Sequence, residues 1–208
     1  MKKILMVLTS VSEIGDTGEK TGYNVVEAAH PWKVFNDSGH FVDFASIQGG
    51  QPPRDEVDAE DPIQVAFTED ETTRAGLYNT ARVDVVDPDQ YDAVFLVGGH
   101  GTMWDFPDSQ CLQSLVASVY NAGGLVGAVC HGPAGLLNVE LENRFRLVEG
   151  RKVAASTNDG AAVNCRMCAS NHTHRPSPRR VRAGSPHRSL SSNGTEPGLR
   201  GEPFERTP

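Results

Sequence analysis

Hydrophobic residues in the first three-quarters of the chain fall into short blocks separated by polar, helix-period stretches. The blocks "KILMVLTS", "HFVDFAS", "YDAVFLVGG", "GLVGAV" and "KVAAST" are rich in Val, Ile, Leu, Phe and Ala, and each closes on a polar or glycine-bearing segment. Uninterrupted apolar runs of this length predict strands buried on both faces, as in a parallel sheet. Between them, helical spacing predicts helices over about Asn24 to Asp37, Ser109 to Ala122 and Gly132 to Val139. Alternation of the two patterns predicts an α/β fold with helices on both faces of a mostly parallel sheet. The polar, proline-bearing segment Gln48 to Ala66, with "QPPRDEVDAEDP", reads as a loop insertion. The segment "ARVDVVDPDQYDA" reads as a short strand or turn leading into the central strand.

Composition divides the chain. Residues 160–208 hold eight arginines, no lysine, three glutamates and six prolines, a net +5. The preceding 159 residues carry eleven bases against twenty-four acids, a net −13. Phe204 is the tail's single aromatic residue, and no periodicity organises it, so it is expected to be disordered by itself. We therefore expect one domain over residues 1–159, incomplete at its C-terminal end, and a basic Pro/Arg/Ser-rich tail over 160–208. The tail reads as an unconstrained terminus, such as a shifted reading frame would produce, in preference to a basic arm that folds on an acidic partner or nucleic acid.

The overall charge of −8 argues against a dedicated nucleic-acid or anionic-membrane binder, because neutralising phosphates requires a basic face. The N-terminus begins like a signal peptide, but its apolar run covers only Ile4 to Leu8 before acids and glycines follow, which predicts a first strand and no secretion. No stretch approaches a membrane span. Cys111, Cys130, Cys165 and Cys168 lack disulfide-scaffold spacing, which points to the cytoplasm. Cys165, Cys168, His172 and His174 are zinc-ligand types without the spacing of a standard finger, so no metal site is assigned to them.

One junction carries chemistry. In "GLVGAVCHGPAGLL" the apolar strand runs directly into Cys130 and His131, with Ala128 and Gly132 two residues to either side of the cysteine. Small flanking residues suit a nucleophile elbow, a tight strand-to-helix turn that exposes its central side chain. A helix starting there would lower the thiol pKa, to about 5.5. His131 would supply a base or acid if the turn is sharp. The loop "VGGHGTMWDF" sets glycines around His100, where backbone amides could face an oxyanion formed at Cys130. Upstream, Glu27 lies four residues before Pro31, so its carbonyl loses a helical partner and a bend is expected there. Burial at such a bend would raise the carboxyl pKa and suit Glu27 to carrying protons.

Taken together, "E-x-x-H-P" at Glu27 to Pro31, "GGHG" at Gly98 to Gly101 and "AVCHGPAGL" at Ala128 to Leu136 resemble the ThiJ/PfpI superfamily, within the class I glutamine amidotransferase-like proteins. The likeness is greatest to its heat-shock chaperone and glutathione-independent glyoxalase III branch. It implies a flavodoxin-like three-layer sandwich, usually dimeric. It implies Cys130 as nucleophile, Glu27 as its paired acid, His131 as the triad histidine and the backbone at Gly99 and His131 as the oxyanion hole. The implied activity is cysteine-dependent conversion of a small aldehyde, methylglyoxal to lactate, without metal or dissociable cofactor. A PfpI-type cysteine peptidase and a non-enzymatic, oxidation-sensing chaperone are the alternatives. The chain departs from the family after "KVAAST", where Gly160 and Ala161 occupy the place expected for the acid that orients the histidine; Asp159 is the nearest carboxylate.

Overall fold

A computed structural model describes residues 1–154. The proposed tail, Asp159, Cys165, Cys168, His172 and His174 lie outside the described residues, as does the second half of "KVAAST", whose residues 152–154 form no strand.

The run "KILMVL" forms β1 (Lys3–Leu8), apolar and buried from Ile4 onward because both of its faces are covered. It pairs in parallel with β2 (Phe41–Ser46) on one side, Lys3 opposite Phe41, and with β4 (Ala93–Leu96) on the other, Ile4 opposite Ala93. The two-residue β3 (Ala81–Arg82) extends the sheet beyond β2, and β5 (Leu125–Ala128) extends it beyond β4. The order is β3-β2-β1-β4-β5, with every pair parallel. The direction of strand addition reverses between β1 and β4, and in open α/β sheets a ligand crevice forms outside the carboxyl ends of the strands at that point.

Successive residues of β1 point to opposite faces, so the sheet has two cores. On one face Leu5, Val7, Val94 and Leu96 meet Leu112, Leu115, Val116 and Val119 of α5 (Gln110–Asn121). On the other, Met6 and Leu8 meet Val25, Ala28, Ala29 and Trp32 of α1 (Val25–Asp37), with Phe44 and Phe67. Together these layers make the expected three-layer sandwich. No helix among the described residues is long and apolar enough to cross a membrane.

Two expectations need correction. The segment read as a loop through Ala66 ends sooner, because Asp61 caps the N-terminus of α2 (Pro62–Glu69) by accepting from Ile63 and Gln64 N–H. It is followed by α3 (Glu71–Tyr78), capped by Asp70. Proline at the first helical position and an acidic cap favour a helix start, and Phe67 anchors α2 against Trp32 and Phe44. Pro31 lies inside α1, which runs on to Asp37 as the sequence pattern predicts. The helix expected over Gly132 to Val139 is a 3-10 segment, Gly132–Leu136.

Candidate active site

The site assembles where β1, β4 and β5 end. Beyond β5, Val129 N–H donates to Leu96 O at 3.2 Å, and Gly132 N–H closes back on Val129 O at 2.7 Å. The chain turns between these contacts, and Cys130 adopts φ 54°, a left-handed conformation rare for a residue with a Cβ. Gly132 must be glycine, because a Cβ there would overlap the carbonyl oxygen of Leu96. Backbone strain and close packing thus hold the thiol out from the end of the sheet.

Three elements meet at that sulfur. Cys130 Sγ lies 3.2 Å from His131 Nδ1, so adjacent side chains converge as the elbow requires. The Glu27 carboxyl and Cys130 flank the same glycine, since a Cβ at Gly98 would lie 2.2 Å from Glu27 Oε2 and 2.9 Å from Cys130 Cβ, and carboxyl and thiol influence each other's ionisation. The backbone N–H groups of Gly99 and His131 favour the sulfur's anion. Glu27 reaches this position from the first turn of α1, where Asn24 caps the helix by accepting from Glu27 N–H at 3.1 Å. Gly98 leaves room for the carboxyl, since a Cβ there would overlap Glu27 Oε2. Gly99, at φ 113°, passes so close to Gly22 and Tyr23 that no side chain fits.

The electrostatics differ from the sequence expectation. Burial raises the Glu27 carboxyl above the ordinary carboxylate range, opposed by its hydrogen bond to Cys130. Its Oε2 is fully covered and has no hydrogen-bond partner among the described residues. Cys130 is pushed up to about 11, first by desolvation and then by the hydrogen bond and charge of Glu27. Thiol and carboxyl therefore behave as a pair competing for protons. The expectation of a thiolate preformed at a helix terminus is not met, because a five-residue 3-10 segment supplies little macrodipole and an anionic carboxylate lies against the sulfur. Burial lowers the His131 pKa, with the nearby His100 acting in the same direction. A neutral imidazole with its proton on Nε2 leaves Nδ1 free to accept from the thiol.

Two neighbours were not singled out as site residues from sequence. His100 packs its ring against His131, centroids 4.7 Å apart. Asp55 accepts from Val25 N–H and Asn24 Nδ2 at 2.9 Å, fixing the start of α1, and its charge is felt at Glu27. The "GGHG" loop was a signal for His100; Asp55 lies in an acidic loop thirty-one residues from its partner Asn24, where no local pattern marks it. Among the described residues, no group of three or more His, Cys, Asp or Glu side chains is placed to hold a metal ion.

Residues 19–162 match the sequence model of the DJ-1/PfpI family. Glyoxalase 3 of Candida albicans is 35% identical over 171 residues, covering 78% of this chain and 72% of that protein. The glutathione-independent glyoxalase HSP31 of Saccharomyces cerevisiae is 33% identical over 169 residues, covering 78% and 71%. Among solved structures, the Rapid Encystment Protein 24 kDa of Francisella tularensis superposes with a TM-score of 0.74 at 35% identity, covering 79% of this chain and 74% of that one. Glyoxalase III from Candida albicans superposes with a TM-score of 0.71 at 33% identity, covering 81% and 73%.

Proposed function

This chain belongs to the DJ-1/PfpI family, and from that membership we propose that it is a glutathione-independent glyoxalase that converts methylglyoxal and similar small 2-oxoaldehydes to 2-hydroxyacids. The observation that carries the reading is the convergence of the Cys130 thiol, on its strained elbow, with the Glu27 carboxyl and His131 Nδ1. Similarity to proteins named as Glyoxalase 3 and as a glutathione-independent glyoxalase supports the same activity.

The thiol's high pKa makes attack coupled to proton transfer the natural first step. As Cys130 Sγ bonds to the aldehyde carbon, neutral His131 accepts the thiol proton at Nδ1 and returns it to the new alkoxide, giving a hemithioacetal. The N–H groups of Gly99 and His131 hold the developing oxyanion. Glu27, as carboxylate, removes the hydrogen on the former aldehyde carbon, giving an enediolate with its charge on the neighbouring former ketone oxygen. Return of the proton from Glu27 to the second carbon, with the hydroxyl proton of the first oxygen passing through His131 to the second oxygen, leaves a thioester. Water cleaves it, releasing the hydroxyacid and restoring the thiol. Methylglyoxal plus one water equals lactate, so the sequence balances with no other reactant.

A cytoplasmic homodimer with a small-aldehyde substrate completes the proposal. The test is glutathione-free consumption of methylglyoxal with lactate as product. We expect Cys130→Ala to lower kcat by about 10³-fold or more. Equal rates for the variant and the native protein would refute the assignment.

A further inference from the structure

A buried carboxyl outside the catalytic set ties together the elements that present Gly99. Asp105 ends α4 (Thr102–Asp105), the short helix that follows the "GGHG" loop. Its Oδ2 accepts from Thr9 Oγ1 at 2.9 Å and from Ser10 N–H at 2.7 Å, both just beyond β1. Its Oδ1 is fully covered without a hydrogen-bond partner among the described residues. Thr9 is completely buried, and its Oγ1 also accepts from Val11 N–H at 3.1 Å. Ser10 Oγ in turn accepts from Gln48 N–H at 2.9 Å, so the anchored turn is itself held by the segment after β2.

The opposite end of α4 grips the loop. Thr102 donates to Gly99 O through both Oγ1, at 2.8 Å, and N–H, at 3.3 Å. Gly101 passes against the same turn after β1, where an added Cβ would lie 2.9 Å from Thr9 Oγ1 and from Val11 O. A continuous path therefore runs from the Gly99 peptide through Thr102 and one helical turn to Asp105, and across to Thr9 and Ser10.

We propose that Asp105 is a positioning residue: by anchoring α4 to the turn after β1, it fixes the Gly98–Gly101 loop against the elbow, where a Cβ at Gly98 would lie 2.9 Å from Cys130 Cβ. The inference rests on Gly99 serving as a donor at the reacting centre, as in the proposed function. A four-residue helix has little stability of its own. Without the anchor its first turn, and with it Gly99, loses its register against the elbow.

Alkylation of Cys130 by iodoacetamide at pH 8 tests this independently of any turnover, with Cys111 as internal reference in peptide-resolved mass spectrometry. Loss of the Gly99 donor raises the thiol pKa, so Asp105→Ala should slow alkylation of Cys130 about tenfold for each unit of rise while Cys111 is unchanged. General loosening of the fold would instead expose the sulfur and speed the reaction. Asp105→Asn, whose amide oxygen still accepts from Thr9 and Ser10, should restore most of the rate. In methylglyoxal turnover, Asp105→Ala should lower kcat about tenfold or more with KM little changed, because misplacing an oxyanion donor weakens the transition state selectively. If Asp105→Ala does not fold, Thr9→Val removes one anchor bond without changing shape and should slow alkylation in the same direction. Native alkylation rates in the folded Asp105→Ala protein, or in Thr9→Val as its substitute, overturn the proposal. Failure of the native protein to consume methylglyoxal would overturn the glyoxalase reading, while alkylation still decides the role of Asp105.

Discussion

The two ends of the sheet treat carboxyl groups in opposite ways. At the amino end, Asp92 pairs with Lys2 at 2.7 Å and takes the N–H of Lys3, which holds its carboxyl below the ordinary range. Nearby, Asp43 meets Lys3 and the hydroxyl of Tyr91, both at 2.9 Å. At the carboxyl end, Glu27 and Asp105 are packed away from water, and each keeps one covered oxygen without a hydrogen-bond partner among the described residues. Burial raises both, Asp105 to about 6. Backbone strain accompanies them there, at Cys130 and Gly99. The same sheet thus gathers satisfied charges at one edge and costly ones at the other, a distribution expected where groups are held ready for chemistry.

Substitutions at the two ends should therefore diverge. The largest effect beyond loss of Cys130 itself should come from Glu27→Gln, which removes the proton carrier and should lower kcat for methylglyoxal by about 10²–10⁴-fold. The same variant should speed alkylation of Cys130 at pH 8, because the anion that raises the thiol pKa is gone. Opposite signs for turnover and thiol reactivity would separate proton transfer from simple damage, whereas slower alkylation would contradict the pairing. Gly99→Ala should lower unfolding free energy by about 3–4 kcal/mol in urea denaturation, since the added Cβ meets both an unfavourable φ and the backbone of Gly22 and Tyr23.

Asp105 offers a pH-dependent test of comparable or smaller size. Its folded pKa of about 6 lies above the ordinary 3.8, so the folded chain retains this proton over a range where the unfolded chain releases it. Below about pH 4 both states are protonated and the group is neutral to stability; as pH rises to about 6 the native state loses ground by up to about 3 kcal/mol, and above that the cost is constant. Asp105→Asn has no proton to release. Its melting temperature relative to the native protein should therefore climb between pH 4 and pH 6 and then level off, and a flat difference would disprove the shift. The smallest effect belongs to the amino end: Lys2→Met should leave kcat unchanged and move the melting temperature by no more than about 2 °C, as an exposed pair contributes little.

What the sequence made legible follows the same division between local and distant causes. Strands β1, β2 and β4 and helices α1 and α5 announce themselves because each buries a face large enough to leave a hydrophobic period, while β5 is legible only as a short apolar run, its Leu125 being exposed. Helices α2 and α3 are only eight residues each and begin in an acidic, proline-bearing stretch, so their capping residues Asp61 and Asp70 resemble loop acids. At the site, Cys130 and His131 are neighbours in the chain, and small residues betray the elbow. The thiol's ionisation was not legible. It depends on a glutamate more than a hundred residues away and on the following segment making a 3-10 turn in place of a helix. Asp105 escaped notice for the same reason, since its partners Thr9 and Ser10 lie about ninety-five residues upstream.

The left-handed backbone at Cys130 also limits what protein engineers could place there. A library randomised at this position would be filtered first by conformation and only then by reactivity. Threonine, though a nucleophile, carries a branched Cβ that disfavours φ 54° and would fail before its hydroxyl could be tried. Serine has the same backbone reach as cysteine and is the sole hydroxyl replacement with a fair chance of folding. Selection for a new reaction at this elbow would therefore search a very short alphabet, and variety would have to come from the surrounding loops.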